Sequence, residues 1–319
     1  MSIKTFDVSL ANPRGFCAGV DRAIEIVERA LKKFGSPVYV HHEIVHNKHV
    51  VDDLRAKGAV FIETPEDVPE GAVLIFSAHG VSKTVRKRAE KLTNLLFDAT
   101  CPLVTKVHVE VQKMYREGYQ LVMIGHKGHP EVEGTMGQLE QGISLVETVA
   151  DVQNLPFSET TKIAYVSQTT LSVDDTQQIV DALRARFPLL RSPKMADICY
   201  ATQNRQDAIK VLAKETDLIL VIGSPNSSNS NRLKEVAERL GIEAHLIENA
   251  EAINPLWLSG KNRIGVSAGA SAPEKLVQEL LIKLKQLGAI SVHQIQGETE
   301  NVHFPLPKGL KLDKNPEVV

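Results

Sequence analysis

Three cysteines, Cys17, Cys101 and Cys199, are the residues of this chain best suited to soft-metal chemistry. They are far apart in sequence, and nothing local resembles the Cys-x2-Cys spacing of ferredoxins or zinc ribbons. What they share is a position. Each stands where a strand-like segment gives way to a helix-like one. Residues 6–11 precede Cys17, and Val20, Ile24, Val27 and Leu31 follow it at a helical period. Leu95-Leu96-Phe97 precede Cys101; Pro102 then suits a first helical position, with Leu103, Val107, Val111 and Met114 beyond it. Asp197-Ile198 is a weaker lead-in to Cys199, but Ala208, Val211 and Leu212 again mark a helix. A helix N-terminus favours the thiolate, the form that binds metal. Fully ligated iron–sulfur clusters take four cysteines, so three would leave one iron open to substrate as a Lewis acid. Zinc on three thiolates, or three small buried hydrophobes, are the competing readings.

A second regularity follows each cysteine. An apolar run ends in polar loop residues, and it does so three times. Val38-Tyr39-Val40 leads to His46, Leu121-Val122-Met123-Ile124-Gly125 to His129, and the run from Leu218 to Gly223 to Ser227-Ser228-Asn229. His46, His129 and Ser227 stand 29, 28 and 28 residues after their cysteines. Another strand-like run then ends at His79, at Thr169-Thr170 and at Ser271, 62, 68 and 72 residues after the cysteine in each case. Repeats this long indicate triplicated βα units, since solenoid periods are far shorter.

Together, His46, His79, His129, Thr169, Thr170, Ser227, Ser228, Asn229 and Ser271 offer neutral donors and imidazoles, a set that suits a phosphate or diphosphate. Taken singly, each has an ordinary role. Ser227, Ser228 and Asn229 would cap a helix over 233–240, Thr169 and Thr170 would sit in a turn, and His79 before Gly80 in a loop. Glu131 is the one acid in the set and the natural proton donor. Glu133 competes with it, and in an extended segment only one of the two would face the site.

Strands alternating with helices predict parallel sheets, with ligands outside the carboxyl ends of the strands. Every residue singled out follows a strand. The fold expected is α/β: three pseudo-threefold-related modules with small, mostly parallel sheets around a central iron–sulfur cluster. The first module spans 18–101, the second 102–195, and the third 1–17 with 196–287; 288–319 is read as a C-terminal tail.

Composition narrows the classes. A net charge of −2 and 5% aromatics argue against a nucleic-acid surface. No stretch reaches the roughly 20 apolar residues that span a bilayer. Met1-Ser2-Ile3-Lys4 has no apolar run behind it, so no signal peptide is read and a cytoplasmic location is expected, where thiols stay reduced. Two local motifs are discounted. His42-Glu43-Ile44-Val45-His46 has the zinc-protease form but directly follows a strand, with its helix expected only from about Lys48. Ser259-Gly260-Lys261 lacks the glycine-rich spacing of a phosphate loop.

Longer segments carry a resemblance. Ala11-Asn12-Pro13-Arg14-Gly15-Phe16-Cys17-Ala18-Gly19-Val20-Asp21-Arg22-Ala23 and Phe97-Asp98-Ala99-Thr100-Cys101-Pro102 are two of them. Gly128-His129-Pro130-Glu131-Val132-Glu133-Gly134-Thr135 and Ser167-Gln168-Thr169-Thr170-Leu171-Ser172 follow. Asn226-Ser227-Ser228-Asn229-Ser230-Asn231-Arg232-Leu233 and Ala268-Gly269-Ala270-Ser271-Ala272-Pro273 complete the series. Over nearly the whole chain, and in order, these resemble the 4-hydroxy-3-methylbut-2-enyl diphosphate reductase family of the non-mevalonate isoprenoid route. The resemblance implies a trefoil around one 4Fe–4S cluster held by Cys17, Cys101 and Cys199, with one open iron. It implies diphosphate contacts from His46, His79, Ser227, Asn229 and Ser271, with His129 and Ser228 lining the site. Glu131 matches the proton source and Thr169 its relay.

The reaction so implied is reductive dehydroxylation. The allylic hydroxyl would meet the open iron, and two electrons would arrive from reduced ferredoxin or flavodoxin. Water would leave, and protonation at either end of the allyl fragment would give isopentenyl or dimethylallyl diphosphate. A quinolinate-synthase-like dehydratase, a non-catalytic iron–sulfur redox sensor and a zinc hydrolase are the rival readings. Need for a reductant separates the first, and metal content the last.

Overall fold

The structure is a computed structural model and describes residues 5–310. Met1-Ser2-Ile3-Lys4 and 311–319 of the tail lie outside the described residues. The chain opens with β1 (Phe6–Leu10) and then α1 (Ala18–Phe34). Helix α1 buries Val20, Ala23, Ile26, Val27 and Ala30, the stripe that its helical period predicts. β2 (Val38–His41), α2 (Lys48–Ala56), β3 (Ala59–Ile62), β4 (Leu74–Phe76), α3 (Lys83–Leu92) and β5 (Leu96–Asp98) complete a sheet of order β3-β2-β4-β5.

Next come α4 (Pro102–Arg116), β6 (Gln120–Ile124), α5 (Pro130–Met136), β7 (Ile143–Val146), α6 (Val149–Gln153), β8 (Ile163–Ser167) and α7 (Val173–Arg186). Their sheet has the order β7-β6-β8. Then α8 (Tyr200–Leu212), β9 (Leu218–Ile222), α9 (Ser228–Arg239), β10 (Glu243–Ile247), β11 (Arg263–Ala268), α10 (Glu274–Gln286) and β12 (Ala289–Gln294) follow. Here β1 returns to pair with β11, in the order β10-β9-β11-β1-β12.

One pattern recurs three times. An outer strand is followed by the strand before the first polar loop and the strand before the second; in the first and last sheets a strand before a cysteine comes next. Every ladder between named strands is parallel. Each sheet is covered on both faces by apolar clusters, so strands such as β9 read as unbroken hydrophobic runs; all five residues of β9 are buried.

Two expectations need correction. Asp197-Ile198 is no strand: the place of a fourth strand beside β8 holds only a single bridge between Ala164 and Arg191. Pro193 follows within two residues, and a proline has no N–H for a ladder. The segment from 288, read as a tail, supplies β12 on the free side of β1. Beyond it Ile295 enters the third core, while Leu306 and Leu310 pack on the first. β12 showed no strand signal because its residues are mostly solvent-facing and mix Ser, His and Gln with Ile and Val.

Candidate active site between the three modules

Each cysteine is the N-cap of a helix: Cys17 of α1, Cys101 of α4 and Cys199 of α8. Each is also tied by its backbone to the second polar loop of its sheet. The Cys17 N–H donates to Ala270 O at 3.2 Å, that of Cys101 to Ala78 O at 3.0 Å, and that of Cys199 to Thr169 O at 3.1 Å. These backbone bonds deliver the thiol and the polar loop to one edge together. All three thiols line one cavity.

Gly19 sits against two of these thiols. A Cβ there would lie 2.7 Å from Cys101 Sγ and 3.8 Å from Cys17 Sγ. The space between the sulfurs is thus kept by the absence of a side chain. Among the described residues, no three His, Cys, Asp or Glu side chains close on a single metal ion. The donor set is three soft sulfurs around a wider gap, which fits a polynuclear cluster better than one zinc ion.

The expected lowering of thiol pKa by the helix ends is outweighed. Burial pushes Cys101 up to about 12 and Cys199 up to about 11, and raises Cys17 as well. Backbone N–H groups at the helix starts act in the lowering direction at all three. Without a cation the thiols are held neutral; a bound metal ion is the charge that would reverse this.

The anion-binding candidates line the same cavity. His46 lies in the loop between β2 and α2, whose helix starts at Lys48 with Asn47 as N-cap. The His-Glu-x-x-His segment is therefore not helical. His42 turns to Glu63 at 2.7 Å, and only His46 reaches the cavity. His46 and His79 stack with ring centroids 4.1 Å apart, and His129 meets them edge-on at 5.3 and 5.9 Å. Burial, then the like charge of neighbouring imidazoles, takes His129 down to about 3 and holds His79 well below its ordinary range.

Ser227 does cap a helix, α9, by accepting the Ser230 N–H, while also lining the cavity. Asn229 Oδ1 accepts the Ala270 N–H at 2.7 Å. Its Nδ2 and His46 Nε2 are buried with no protein partner. Such orphaned groups call for a ligand or water. Ser271 Oγ donates to His46 O at 2.9 Å, and Gln168 Nε2 to Thr170 Oγ1 at 2.9 Å and Ser228 Oγ at 3.3 Å. These contacts join the third module to the first and to the second.

Glu131 is the carboxyl that faces inward. The segment around it is a helix led by Pro130, not an extended strand. Two residues along a helix still turn about 200°, so Glu133 is exposed while Glu131 is buried. The Thr169 N–H donates to Glu131 Oε1 at 2.6 Å and Thr169 Oγ1 to Oε2 at 3.1 Å. Burial nevertheless raises the carboxyl to about 7, against these lowering bonds. The proton balances near neutrality, as a general acid requires.

Several residues of the site had no signal strong enough to single them out. Gly19 and Gln168 lie inside the conspicuous segments but carry no evident chemistry. Asp197 is buried behind the cavity, where it accepts the Ser167 N–H at 3.0 Å and pairs with Lys106 at 3.3 Å. Burial raises it to about 6, and its charge adds to the rise at Glu131. Arg205 is fully buried on α8, at a distance in sequence from everything it holds.

The match to known proteins extends well beyond the site. The sequence model of the LytB protein family fits residues 8–285. A 4-hydroxy-3-methylbut-2-enyl diphosphate reductase from an Azoarcus species is 64% identical over 305 residues, covering 96% of this chain and 98% of that one. Its counterpart from a Polaromonas species is 61% identical over 307 residues, covering 96% and 92%. Among solved structures, the E-1-hydroxy-2-methyl-but-2-enyl-4-diphosphate reductase of Plasmodium falciparum superposes with a TM-score of 0.93 at 41% identity, covering 96% of this chain and 97% of that one. A second solved reductase, described as the terminal enzyme of the non-mevalonate pathway, gives 0.64 at 34% identity, covering 88% and 99%. With the family model fitting most of its length and relatives this similar, the chain belongs to the LytB protein family.

Proposed function

We propose that this enzyme reductively dehydroxylates 4-hydroxy-3-methylbut-2-enyl diphosphate to isopentenyl and dimethylallyl diphosphate. One allylic C–O bond breaks and one C–H bond forms, with two electrons and two protons consumed and one water released. The observation that carries this reading is Glu131: a carboxyl that burial poises near neutrality, opening into the same cavity as three thiols and an anion-binding set.

Cys17, Cys101 and Cys199 would hold a 4Fe–4S cluster, which when bound supplies electrons and an iron open to the allylic oxygen. The chain's own residues do the rest. The imidazoles of His46, His79 and His129, with Ser227, Ser228, Asn229 and Ser271, bind and orient the diphosphate, which is remote from the bond that breaks. Asn229 Nδ2 and His46 Nε2 find there the partners they lack. Glu131 delivers its proton to the departing oxygen, with Thr169 fixing the carboxyl through its backbone N–H and its hydroxyl. Burial of the site keeps bulk water from the allyl fragment.

The electrons would come from reduced ferredoxin or flavodoxin, since the sequence has no flavin or dinucleotide fingerprint. Among the described residues no helix is long and apolar enough to cross a membrane. We take the cytoplasm as the compartment, where thiols stay reduced and available to metal. The test is anaerobic reconstitution, metal and sulfide analysis, and assay with the allylic diphosphate and a strong reductant. Both five-carbon diphosphates should form, and only when reductant is present. Turnover without reductant, or protein that takes up neither iron nor sulfide, would overturn the assignment.

A further inference from the structure

We propose that the segment after β12 is a working part of the cysteine cradle: through Glu300 and Pro305 it clamps two arginines, Arg205 and Arg22, that set the spacing of the three cysteines. These are positioning residues, and the role rests on the cluster reading above.

Arg205 spends every N–H it has. Its Nε and Nη2 donate to Gly15 O at 3.0 and 2.7 Å, and Nη2 also reaches Phe16 O at 3.2 Å. Nη1 donates to Ala201 O at 2.9 Å. Both terminal nitrogens meet Glu300, at 2.9 Å to Oε1 and 3.2 Å to Oε2. Asn204 Nδ2 adds a third bond to Glu300, at 3.0 Å. Gly15 has a positive φ of 67°, a turn conformation that glycine adopts without strain, and its carbonyl is thereby aimed at the guanidinium. One side chain thus ties the helix capped by Cys199 to the turn that delivers Cys17.

Arg22 makes the corresponding tie to Cys101. From the second turn of α1 it donates to Thr100 O at 3.1 Å and Asp98 O at 3.3 Å, the backbone immediately before that cysteine. Its Nε is held by Pro305 O at 2.8 Å. The same segment is pinned further along by Arg29 to Leu310 O at 3.3 Å and Lys33 to Gly309 O at 2.7 Å. Leu310 is embedded in the first core and Leu306 packs against it.

A buried guanidinium without its carboxylate is strongly unfavourable, whereas replacing the whole pair by apolar groups is often tolerated. This makes the Arg205–Glu300 contact a determinant of geometry rather than of folding. The two charges also act on Cys17 in opposite senses. Removing Glu300 therefore leaves net positive charge beside one cluster ligand, which favours the more negative, reduced cluster.

The test uses anaerobically reconstituted full-length protein, with iron release to a chelator and the cluster's reduction potential as readouts. Glu300→Gln should raise the potential and release iron about 10–100-fold faster, the usual effect of losing a residue that orients a metal ligand. Glu300→Asp should restore both toward the parent values. The double variant Arg205→Met with Glu300→Met keeps the packing and should fold, so it decides the case should Glu300→Gln fail to fold. It too should shed iron faster. Parent-like potential and iron release in folded Glu300→Gln, or parent-like iron release in the double variant, would overturn the clamp. Absence of iron and sulfide in the parent protein would instead remove the cluster reading itself, and the clamp's role with it.

Discussion

Thr169 holds Glu131 with both of its hydrogen-bond donors, the backbone N–H at 2.6 Å from one carboxylate oxygen and the hydroxyl at 3.1 Å from the other. The Thr169 carbonyl meanwhile accepts the Cys199 N–H at 3.1 Å. One residue therefore fixes the proposed acid relative to a proposed cluster ligand.

Replacing Glu131 by Gln should leave the carboxamide in the same place but remove the proton. The expected result is a loss of about 10²–10⁴ in kcat, the usual contribution of a positioned acid, with diphosphate affinity little changed. Steady-state kinetics with a competitive diphosphate ligand check both; full turnover would reject the role.

The raised pKa has a consequence for stability. Glu131 titrates at about 7 in the folded chain against an ordinary 4.5, so burial of its neutral form stabilises the fold fully below about pH 4.5. That contribution is lost as pH rises through about 7, where the folded protein must ionise a buried group. Gln at this position does not ionise. Melting temperatures of metal-free parent and Glu131→Gln should therefore diverge in favour of the variant as pH is raised from 5 to 8. A constant difference would contradict the shift.

His79 and His129 are held neutral by burial, His129 down to about 3. A diphosphate placed among them reverses the balance, because an adjacent anion favours the imidazolium. Binding should thus take up at least one proton near neutral pH and weaken as pH rises. Calorimetry in buffers of different ionisation enthalpy measures the uptake, and His129→Ala should diminish it. Binding with no proton exchange would show the imidazoles to act only as neutral donors.

Gly19 offers a substitution with opposed effects. In most helical positions Gly→Ala adds up to about 1 kcal/mol of stability. Here the new methyl would lie 2.7 Å from Cys101 Sγ. In the metal-free state the Cys101 thiol must turn aside to admit the methyl, which offsets that gain, and Gly19→Ala should fail to retain iron. Normal iron content would mean that the gap between the sulfurs is not the cluster's space.

The sequence by itself determined the things that local chemistry and period encode. Cys17, Cys101 and Cys199 are helix N-caps because an apolar helical stripe begins just after each, and Pro102 marks such a start. The buried parallel strands β6 and β9 declare themselves as continuous apolar runs, and the polar residues that follow them must lie at one sheet edge. Tertiary structure decided the rest, because it depends on partners remote in the chain. Nothing near Glu131 says that it, and not Glu133, is turned inward; packing of a helix led by Pro130 does that. Nothing near Arg205 announces Gly15 and Glu300, 190 and 95 residues away, as its partners. The thiol pKa moved opposite to the helix-end expectation for the same reason. Dipoles are local and legible, whereas burial is a property of the assembled fold.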